Sequence, residues 1–402
     1  MGKLSIRDLP LARRRVFVRV DFNVPLDAAS RVTDDTRIRA SLPTIQYALQ
    51  QRARIILSSH LGRPKGKPNP KMSLEPAAQR LAALLGQPVL FAEDCMGKPA
   101  EQKSQALQEG EVLLLENLRF HPEEEKNDEG FARALAGLAD KLYVNDAFGS
   151  AHRAHASTEA ITRFVDRAAA GFLMEKELTY LTKAIANPDR PYVAVLGGAK
   201  VSDKIELIAN LLRVVDTLVL GGGMAYTFLR ARGVPIGKSL VEDDKLALAG
   251  QLLEEATRRN VEVLLPLDHL VARTLDPTAS TQIVPLREIP NDQMALDIGP
   301  RTREAFAAAI TRAILWNGPM GVFEDDAFAQ GTLSLARAVA ASTATSIIGG
   351  GDSIAAVRKA AVAERMTHIS TGGGATLEFL GGRKLPGVEA LTDLPAPQAG
   401  KS

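Results

Sequence analysis

Arginines, histidines and acidic or amide residues follow four apolar runs in the first half of this 402-residue sequence. They are Asp21 and Asn23 after "VFVRV", His60 and Arg63 after "RIILSS", Arg119 after "EVLLLEN", and His152, Arg153 and His155 after "LYVND". Arg37 lies near the expected start of the next helix. A guanidinium group binds carboxylate or phosphate oxygens through paired hydrogen bonds. A single arginine is more often a solvated surface residue, but recurrence after four runs predicts a small anionic ligand.

Glycine-rich turns occupy the same place in the second half. They are "VLGGAKVSDK" (195–204), "VLGGGMAYTF" (219–228), "IIGGGDSIAAV" (347–357) and "ISTGGGATLEF" (369–379). Glycine lets backbone N–H groups approach a phosphate, and a helix N-terminus favours negative charge. A single glycine cluster would indicate only a tight turn, whereas four clusters at strand ends favour a nucleotide-binding site. Lys200 and Lys204 are expected on one helix face directed at phosphates, and Asp352 is a natural Mg²⁺ ligand.

Two common nucleotide motifs are absent from the sequence. "GVPIGKS" (233–239) has three residues between its glycines, where a Walker A loop needs four, and no cluster completes G-x-G-x-x-G. A P-loop enzyme and a standard dinucleotide fold are therefore not indicated.

The elements that must position these residues are short Val/Ile/Leu-rich runs separated by helical patterns, which predicts parallel sheets covered by helices. The second-half strands are expected at 192–196, 217–221, 261–266, 313–316, 346–350 and 368–371. Ten strands would be unusual in one sheet, so we predict an α/β protein with two doubly wound, Rossmann-like domains. Met174, Leu178, Leu181 and Ile185 recur at helical spacing and predict a connecting helix over 174–187. One further crossover helix in a single large sheet is the alternative.

The composition of the sequence argues against nucleic acids and membranes as binding partners. The formal net charge is +2 and aromatic residues make up 5%, which disfavours nucleic-acid binding. No run of about 18 apolar residues and no secretory signal pattern occurs. Cys95 is the one cysteine, so no intrachain disulfide forms. We interpret Cys95 as a small buried hydrophobe and predict a cytoplasmic protein with small-molecule substrates and no membrane partner.

The sequence resembles the phosphoglycerate kinase family. The motifs that carry the resemblance run in family order from about residue 4 to residue 391: "RVDFNVP", "HLGRP", "LENLRFHPEEEKND", "NDAFGSAHRAHAS", "LGGAKVSDK", "WNGPMGVFE", "GGGDS" and "STGGGA". The resemblance implies a bilobal, hinge-bending, monomeric kinase of glycolysis, gluconeogenesis or carbon fixation. Its expected domains are 1–173 with a returning segment at about 386–402, which would bind 3-phosphoglycerate, and 174–385, which would bind ATP or ADP with Mg²⁺.

Residue roles follow from the resemblance, position by position. Substrate binding is implied for Asp21, Phe22, Asn23, Arg37, His60, Leu61, Gly62, Arg63, Arg119 and Arg153. Five of these would form a basic patch around the phosphate and carboxylate of the substrate: Arg37, His60, Arg63, Arg119 and Arg153. Nucleotide binding is implied for Lys200, Lys204, Glu324, Gly350, Gly351, Asp352 and Ser353, with Asp352 also serving Mg²⁺. Catalysis is implied for Arg37, Lys200, Gly372, Gly373 and Gly374.

The reaction implied by the resemblance is transfer of the ATP γ-phosphoryl group to the carboxylate of 3-phosphoglycerate. That carboxylate is ionised at neutral pH, so no general base is needed, and the sequence offers no Ser-His or Cys-His nucleophile signature. Two alternatives are a catalytically silent nucleotide-binding protein on the same fold and a nicotinamide-dependent dehydrogenase. The first would retain ATP binding without turnover; the second would bind NADH.

Overall fold

The computed structural model describes residues 2–394. Residue contacts divide the chain into two compact units. The first contains the residues up to Leu178 and those from Lys384 onward, and the second contains Thr179–Arg383. Each unit has a six-stranded parallel sheet, so the predicted α/β class with two parallel-sheet domains is confirmed. Residues 395–402, which complete the expected returning segment, lie outside the described residues.

The sheet of the first unit has the strand order β3-β4-β2-β1-β5-β6. Its strands are β1 (Arg15–Val20), β2 (Arg54–Ser58), β3 (Leu90–Ala92), β4 (Val112–Leu115), β5 (Leu142–Asp146) and β6 (Arg167–Ala170). The helices of this half are α1 (Thr36–Gln50), α2 (Glu75–Leu85), α3 (Gly97–Ala106), α4 (Pro122–Glu125), α5 (Glu129–Gly137) and α6 (Phe172–Ala186).

The second unit has a parallel sheet of order β15-β14-β13-β7-β8-β9 and an antiparallel sheet of order β11-β10-β12. Its strands are β7 (Tyr192–Leu196), β8 (Thr217–Leu220), β9 (Glu262–Leu264), β10 (Asp268–Ala272), β11 (Gln282–Pro285), β12 (Met294–Ile298), β13 (Ala313–Asn317), β14 (Thr345–Gly349) and β15 (His368–Ile369). Its helices are α7 (Ile205–Leu211), α8 (Met224–Ala231), α9 (Leu246–Arg258), α10 (Pro300–Ala308), α11 (Gln330–Ala341), α12 (Gly351–Lys359) and α13 (Gly374–Leu380); α14 (Pro386–Glu389) belongs to the first unit.

Apolar strands form the centre of each sheet. Every residue of β4, β5, β7 and β13 is buried, which matches their nearly continuous apolar runs and requires cover on both faces. All ten predicted strands are present. Because parallel strands share one carboxyl edge, the residues that follow them are brought to the same side of their own sheet.

The last described residues complete the first unit. Leu4 N–H donates to Thr392 O at 2.8 Å, and Gly387 N–H donates to Ala151 O at 2.9 Å. In residues 2–394, no helix is both long and apolar enough to cross a membrane.

The connecting helix α6 begins two residues earlier than the sequence predicts, and the division between the units falls within it, after Leu178. Its start is fixed by Asp146 at the end of β5. The Oδ1 atom of Asp146 accepts hydrogen bonds from the N–H groups of Leu173 at 2.9 Å and Met174 at 3.2 Å. The first turn of α6 is therefore fastened to the sheet of the first unit.

Asp146 should make the stability of this junction depend on pH. Burial raises the pKa of its carboxyl from 3.8 to about 7, so the folded state binds more protons than the unfolded chain between these values. The stabilising contribution is complete below about pH 4 and is lost as the pH rises through 7. An asparagine at this position cannot ionise, so we expect Asp146→Asn to gain on the order of 2 kcal/mol relative to wild type between pH 5 and pH 8.

Urea unfolding followed by circular dichroism at the two pH values would measure this difference. Asp297 is a second buried carboxyl with a pKa raised to about 7. It is present in both proteins, so its pH-dependent contribution to the free energy of unfolding cancels in the comparison. Parallel pH profiles for wild type and Asp146→Asn would contradict the prediction.

Candidate functional site

Asp21 and Arg37 form the first contact at the carboxyl edge of the first sheet. Asp21 directly follows β1 and is buried, and Arg37 is the second residue of α1. Arg37 Nη1 donates to Asp21 Oδ2 at 2.9 Å, while 39% of the Arg37 side chain remains exposed. The buried carboxylate therefore orients a guanidinium group that still reaches solvent.

Asn23, Gly62 and Arg119 form a second, continuous set of contacts. Gly62 N–H donates to Asn23 Oδ1, and Arg119 Nη1 donates to Gly62 O, both at 2.9 Å. Arg119 also lies 3.4 Å from Glu125, measured from Nε to Oε1. Burial lowers the pKa of Arg119 from its ordinary value, but a guanidinium stays charged at neutral pH. Three residues predicted for the site are thus brought together.

His60 lies deeper than the predicted basic patch requires. It is 5% exposed, and its Nδ1 is 3.1 Å from Arg19 Nη2. Burial, followed by the positive charges of Arg19 and Arg119, holds the pKa of His60 well below its ordinary value. His60 is therefore neutral at pH 7. It can hydrogen-bond, but it does not supply the positive charge that we expected of it.

The "NDAFGSAHRAHAS" segment separates into a buried and an exposed part. Arg153 is exposed, and its Nε donates to His152 Nε2 at 3.1 Å. His155 is buried, and burial, then the charges of Arg119 and Arg19, lowers its pKa to about 3. Of these three side chains, Arg153 is the one suited to meet an anion.

The side chains of two other predicted residues are buried. Phe22 is fully buried, and its N–H donates to Ser59 Oγ at 2.8 Å. Leu61 is 6% exposed and belongs to the core of the same unit. Arg63, by contrast, is exposed on the loop after β2.

The glycine turns of the second unit lie after β7, β8, β14 and β15, and they serve two different purposes. A Cβ on Gly197 would lie 2.0 Å from Pro319 O, and one on Gly222 would lie 2.7 Å from Gly198 N. Close approach of neighbouring loops therefore requires glycine at these two positions. Gly351 and Gly373 have no such neighbour within 4 Å. Open space beside them leaves room for a ligand to meet backbone N–H groups.

Both later turns open helices, as predicted. Gly350, with φ +88°, precedes α12, and Gly373, with φ +49°, precedes α13. Asp352 lies in the first turn of α12, and the Oγ of Ser353 accepts a hydrogen bond from Gly318 N–H at 2.6 Å. Ser353 thereby links the α12 turn to the loop after β13.

Lys200 and Lys204 do not share a helix face, which corrects our expectation. Helix α7 begins at Ile205, so both lysines lie in the preceding loop. Lys200 is exposed. Lys204 is 9% exposed, and its Nζ donates to the side-chain oxygen of Asn317 and to Asn317 O, the latter at 3.1 Å. Burial lowers the pKa of Lys204 to about 8.

A cavity of about 540 Å³ lies beside these loops, within the second unit. Its walls are mainly apolar, with few charged groups, a composition typical of small-molecule sites. The lining includes Gly198, Ala199, Gly222, Gly223, Tyr226, Lys238, Leu240, Leu275, Met294, Ala295, Leu296, Pro319, Met320, Val322, Glu324 and Asp352. Two predicted nucleotide-binding residues, Glu324 and Asp352, are thus brought to one cavity.

Comparison with known proteins identifies the family. A family model described as phosphoglycerate kinase matches residues 6–383. The chain belongs to the phosphoglycerate kinase family. It is 62% identical to a phosphoglycerate kinase of Koribacter versatilis and 59% identical to one of Moorella thermoacetica; each match covers 98% of this chain and 100% of the relative.

Solved phosphoglycerate kinases have a similar fold. The structure from Coxiella burnetii is 43% identical, with a TM-score of 0.89, and the match covers 97% of this chain and 98% of that one. The structure from Pyrococcus horikoshii is 35% identical, with a TM-score of 0.79, over 96% and 98% of the two chains. Similarity of this extent does not favour the silent or dehydrogenase alternatives.

Sequence reasoning missed a buried polar layer behind the arginines. Arg19 Nε donates to Ser157 Oγ at 2.9 Å, and Ser157 Oγ donates to Glu124 Oε1 at 2.6 Å. Arg19 is 1% exposed and Glu124 is fully buried. Burial raises the pKa of Glu124, opposed by the charge of Arg19 and by the Ser157 hydrogen bonds. The signal was available: an arginine inside the apolar run "VFVRV" needs buried polar partners.

Sequence reasoning did not predict the strands of the small sheet β10–β12, one of which forms a wall of the cavity. Met294, Ala295, Leu296 and Asp297 belong to β12 and line it. The strands "DHLVA", "QIVP" and "MALDI" do not alternate polar and apolar residues, so the sequence carries no period-two signal for this sheet.

Proposed function

We propose that this chain catalyses reversible transfer of the ATP γ-phosphoryl group to the carboxylate of 3-phosphoglycerate, giving ADP and 1,3-bisphosphoglycerate. One pairing of sites carries the proposal. An arginine-rich strand edge lies in the first unit, and an apolar cavity with glycine turns lies in the second. The first suits a ligand with phosphate and carboxylate groups, and the second suits a purine nucleotide. Membership in the family supports both assignments.

In the first unit, we assign the guanidinium groups to the substrate's anionic groups. The proposed anion-binding residues are Arg37, Arg63, Arg119 and Arg153. Asp21 would accept hydrogen bonds from the glycerate part, and the side-chain amide N–H of Asn23 would donate to it. Phe22, Leu61 and Gly62 would hold the loops that carry these groups, since the N–H groups of Phe22 and Gly62 already donate to Ser59 and Asn23. His60, neutral and buried, would hydrogen-bond rather than attract charge.

In the second unit, we assign the apolar cavity to the nucleotide base. Glu324, exposed at its edge, would accept hydrogen bonds from the ribose hydroxyls. The phosphates would meet Lys200, Lys204 and the turn formed by Gly350, Gly351, Asp352 and Ser353. The N–H groups of Gly372–Gly374, where a Cβ on Gly373 would meet open space, would face the transferred group.

Asp352 fits the role of a magnesium ligand. Its carboxylate is exposed at the cavity and lies near enough to Lys204 for the two charges to interact. Mg²⁺ is typically held by one or two carboxylates together with substrate phosphates, and this donor set meets that pattern. When bound, the ion would neutralise charge on the nucleotide phosphates.

The chemistry requires positioning and charge neutralisation rather than proton abstraction. The attacking carboxylate oxygen is already ionised, and the transferring phosphoryl group carries charge on three oxygens. Arg37 and Lys200 supply positive charge, and the 372–374 amides supply N–H donors. Interactions of this kind lower the barrier when they strengthen in the transition state.

The ionisation of Lys204 should make nucleotide affinity depend on pH. Because its pKa is about 8, the side chain is mainly an ammonium at pH 7 and mainly neutral at pH 9. Phosphates bind the charged form, so we expect the Kd for ADP to rise about tenfold between these pH values. Calorimetric titration of wild type and Lys204→Arg would test this, since arginine stays charged. Equal pH dependence in both proteins would contradict the prediction.

The activity is tested by forming 1,3-bisphosphoglycerate from 3-phosphoglycerate and ATP, coupled to NADH oxidation. Turnover should require Mg²⁺, vanish with excess EDTA and return when Mg²⁺ is added back, which also shows that the coupling enzyme survives. A folded protein that binds ATP without turnover would refute the proposed function.

We further propose that the chain acts in the cytoplasm as a monomer. Its one cysteine is a buried free thiol, consistent with a reducing compartment. Light scattering coupled to gel filtration would measure the oligomeric state.

A further inference from the structure

Three side chains with metal-binding chemistry converge in the first unit, on residues that follow β3 and β4. Asp94 and Cys95 lie on the turn between β3 and α3. His121 lies directly before α4. One ligand atom from each residue lies within 4.8 Å of the other two, and His121 Nε2 is 2.7 Å from Asp94 Oδ1. We call these three residues the β3–α4 cluster.

Hydrogen bonds and ring packing hold the side chains of Asp94 and His121 in the β3–α4 cluster, and both side chains remain partly exposed to solvent. Asp94 Oδ1 accepts hydrogen bonds from Cys95 N–H at 2.6 Å and Met96 N–H at 3.4 Å. The His121 ring lies 5.4 Å from the Phe131 ring, between centroids. Cys95 is fully buried, whereas the side chains of His121 and Asp94 are 25% and 43% exposed. An ion could enter from solvent and meet the thiol at the base of the cluster.

We propose that Asp94, Cys95 and His121 bind a Zn²⁺-class divalent ion, with solvent or an anion as the fourth ligand. Thiolate, imidazole and carboxylate are the three ligand types that Zn²⁺ takes in proteins, whereas Mg²⁺ prefers oxygen. Coordination replaces the S–H bond of Cys95 with a sulfur–metal bond and releases the thiol proton to solvent. The site is separate from the magnesium role assigned to Asp352.

The distances allow this change with side-chain movement alone. Zinc bonds of about 2.0–2.3 Å in a tetrahedron place ligand atoms roughly 3.3–3.8 Å apart. The His121–Asp94 separation of 2.7 Å lies below this range, and the ligand atoms of the cluster are all within 4.8 Å of one another. The His121–Asp94 pair would separate by about 1 Å, and no other pair would need to close by more than about 1.5 Å. In the absence of metal, burial and then the charge of Asp94 raise the pKa of the Cys95 thiol, so the thiol is protonated and unreactive.

Titration of the full-length, chelator-treated protein with Co²⁺ would test the proposal. Cobalt substitutes for zinc, and a cobalt–thiolate bond adds a charge-transfer band in the near ultraviolet. We expect this band to saturate at one equivalent and to be reversed by Zn²⁺. Cys95→Ser should abolish the band, and His121→Gln should weaken affinity at least tenfold. Glu93→Gln is the matched control, because Glu93 is the neighbouring carboxylate and pairs with Lys103 instead.

Each outcome decides the proposal. Absence of the band in wild type, or a band unchanged in both Cys95→Ser and His121→Gln, would show that the β3–α4 cluster serves only to fasten the turn. Circular dichroism and thermal unfolding would check that the variants fold. If Cys95→Ser does not fold, His121→Gln decides, since His121 is partly exposed. Metal binding is read directly, so the result is independent of whether the kinase assay succeeds.

Discussion

Arg37→Ala should lower kcat/KM for 3-phosphoglycerate by 10²–10³ while the protein stays folded. A pair of unit charges 4 Å apart interacts by about 4 kcal/mol at an effective dielectric constant of 20. Because 39% of the Arg37 side chain is exposed, solvent screening reduces this value, and the expected loss corresponds to about 3–4 kcal/mol of transition-state stabilisation. Steady-state kinetics with saturating ATP would measure it.

The orientation of Arg37 makes the prediction more specific. Asp21 holds Nη1, which leaves the rest of the guanidinium fork to bind substrate oxygens in a fixed direction. Arg37→Lys keeps the charge but loses the fork, so we expect it to restore only part of the activity.

Arg39→Ala provides the matched control for Arg37. Arg39 lies on the same helix, is exposed, and pairs with Asp35 at 2.8 Å. Its loss should change kcat/KM by less than twofold. If Arg37→Ala retained activity within threefold of wild type, or if Arg39→Ala caused an equal loss, Arg37 would have no place in the substrate site.

The main strands could be predicted because burial on both faces leaves a plain signal in the sequence. β4 and β7 are apolar and fully buried, and a short continuous apolar run between turns is typical of a strand covered on both faces. β6 was missed because "RAAA" has no β-branched residue, and alanine favours helices on local propensity alone. Its pairing with β5 overrides that preference.

For the candidate site residues, the sequence predicts which residues lie at strand ends, but it does not predict how deeply each side chain is buried. Their positions after predicted strands were enough to identify Asp21, Asn23 and Arg119 as candidate site residues. Whether a side chain is charged depends on its neighbours in space, and so His60 was expected as a cation and is neutral. Arg19 was overlooked because its polar partners, Ser157 and Glu124, are more than 100 residues away in sequence.

The two lysines of the "GGAKVSDK" turn show the same limit. Because both residues are lysines and lie four positions apart, we expected both to bind phosphates in the same way. Lys204 is buried against Asn317, however, and Lys200 is exposed. A desolvated, anchored lysine is suited to hold phosphates in the ground state, so we expect the ionisation of Lys204 to affect nucleotide affinity. An exposed lysine can move toward charge as it develops, and it should therefore act mainly on kcat.

Lys200→Ala should accordingly lower kcat by 10²–10³ and change the Kd for ADP by less than fivefold. Thermal stability should be unchanged, because an exposed side chain in a loop before α7 contributes little to folding. Single-turnover measurements with saturating ATP and 3-phosphoglycerate would isolate the transfer step from product release. Binding of ADP, measured by calorimetry, would report the ground state.

Lys183→Ala is the control for this variant, since Lys183 is a solvent-accessible lysine of the same unit that pairs with Asp189 at 2.6 Å. We expect its transfer rate to stay within twofold of wild type. A loss in Lys200→Ala confined to the Kd for ADP would place Lys200 with Lys204 as a phosphate-binding residue. A transfer rate within threefold of wild type would remove it from catalysis, and the positive charge in the second unit would then have to come from Lys204 and Mg²⁺. The split between kcat and Kd therefore decides which of the two lysines acts on the transition state.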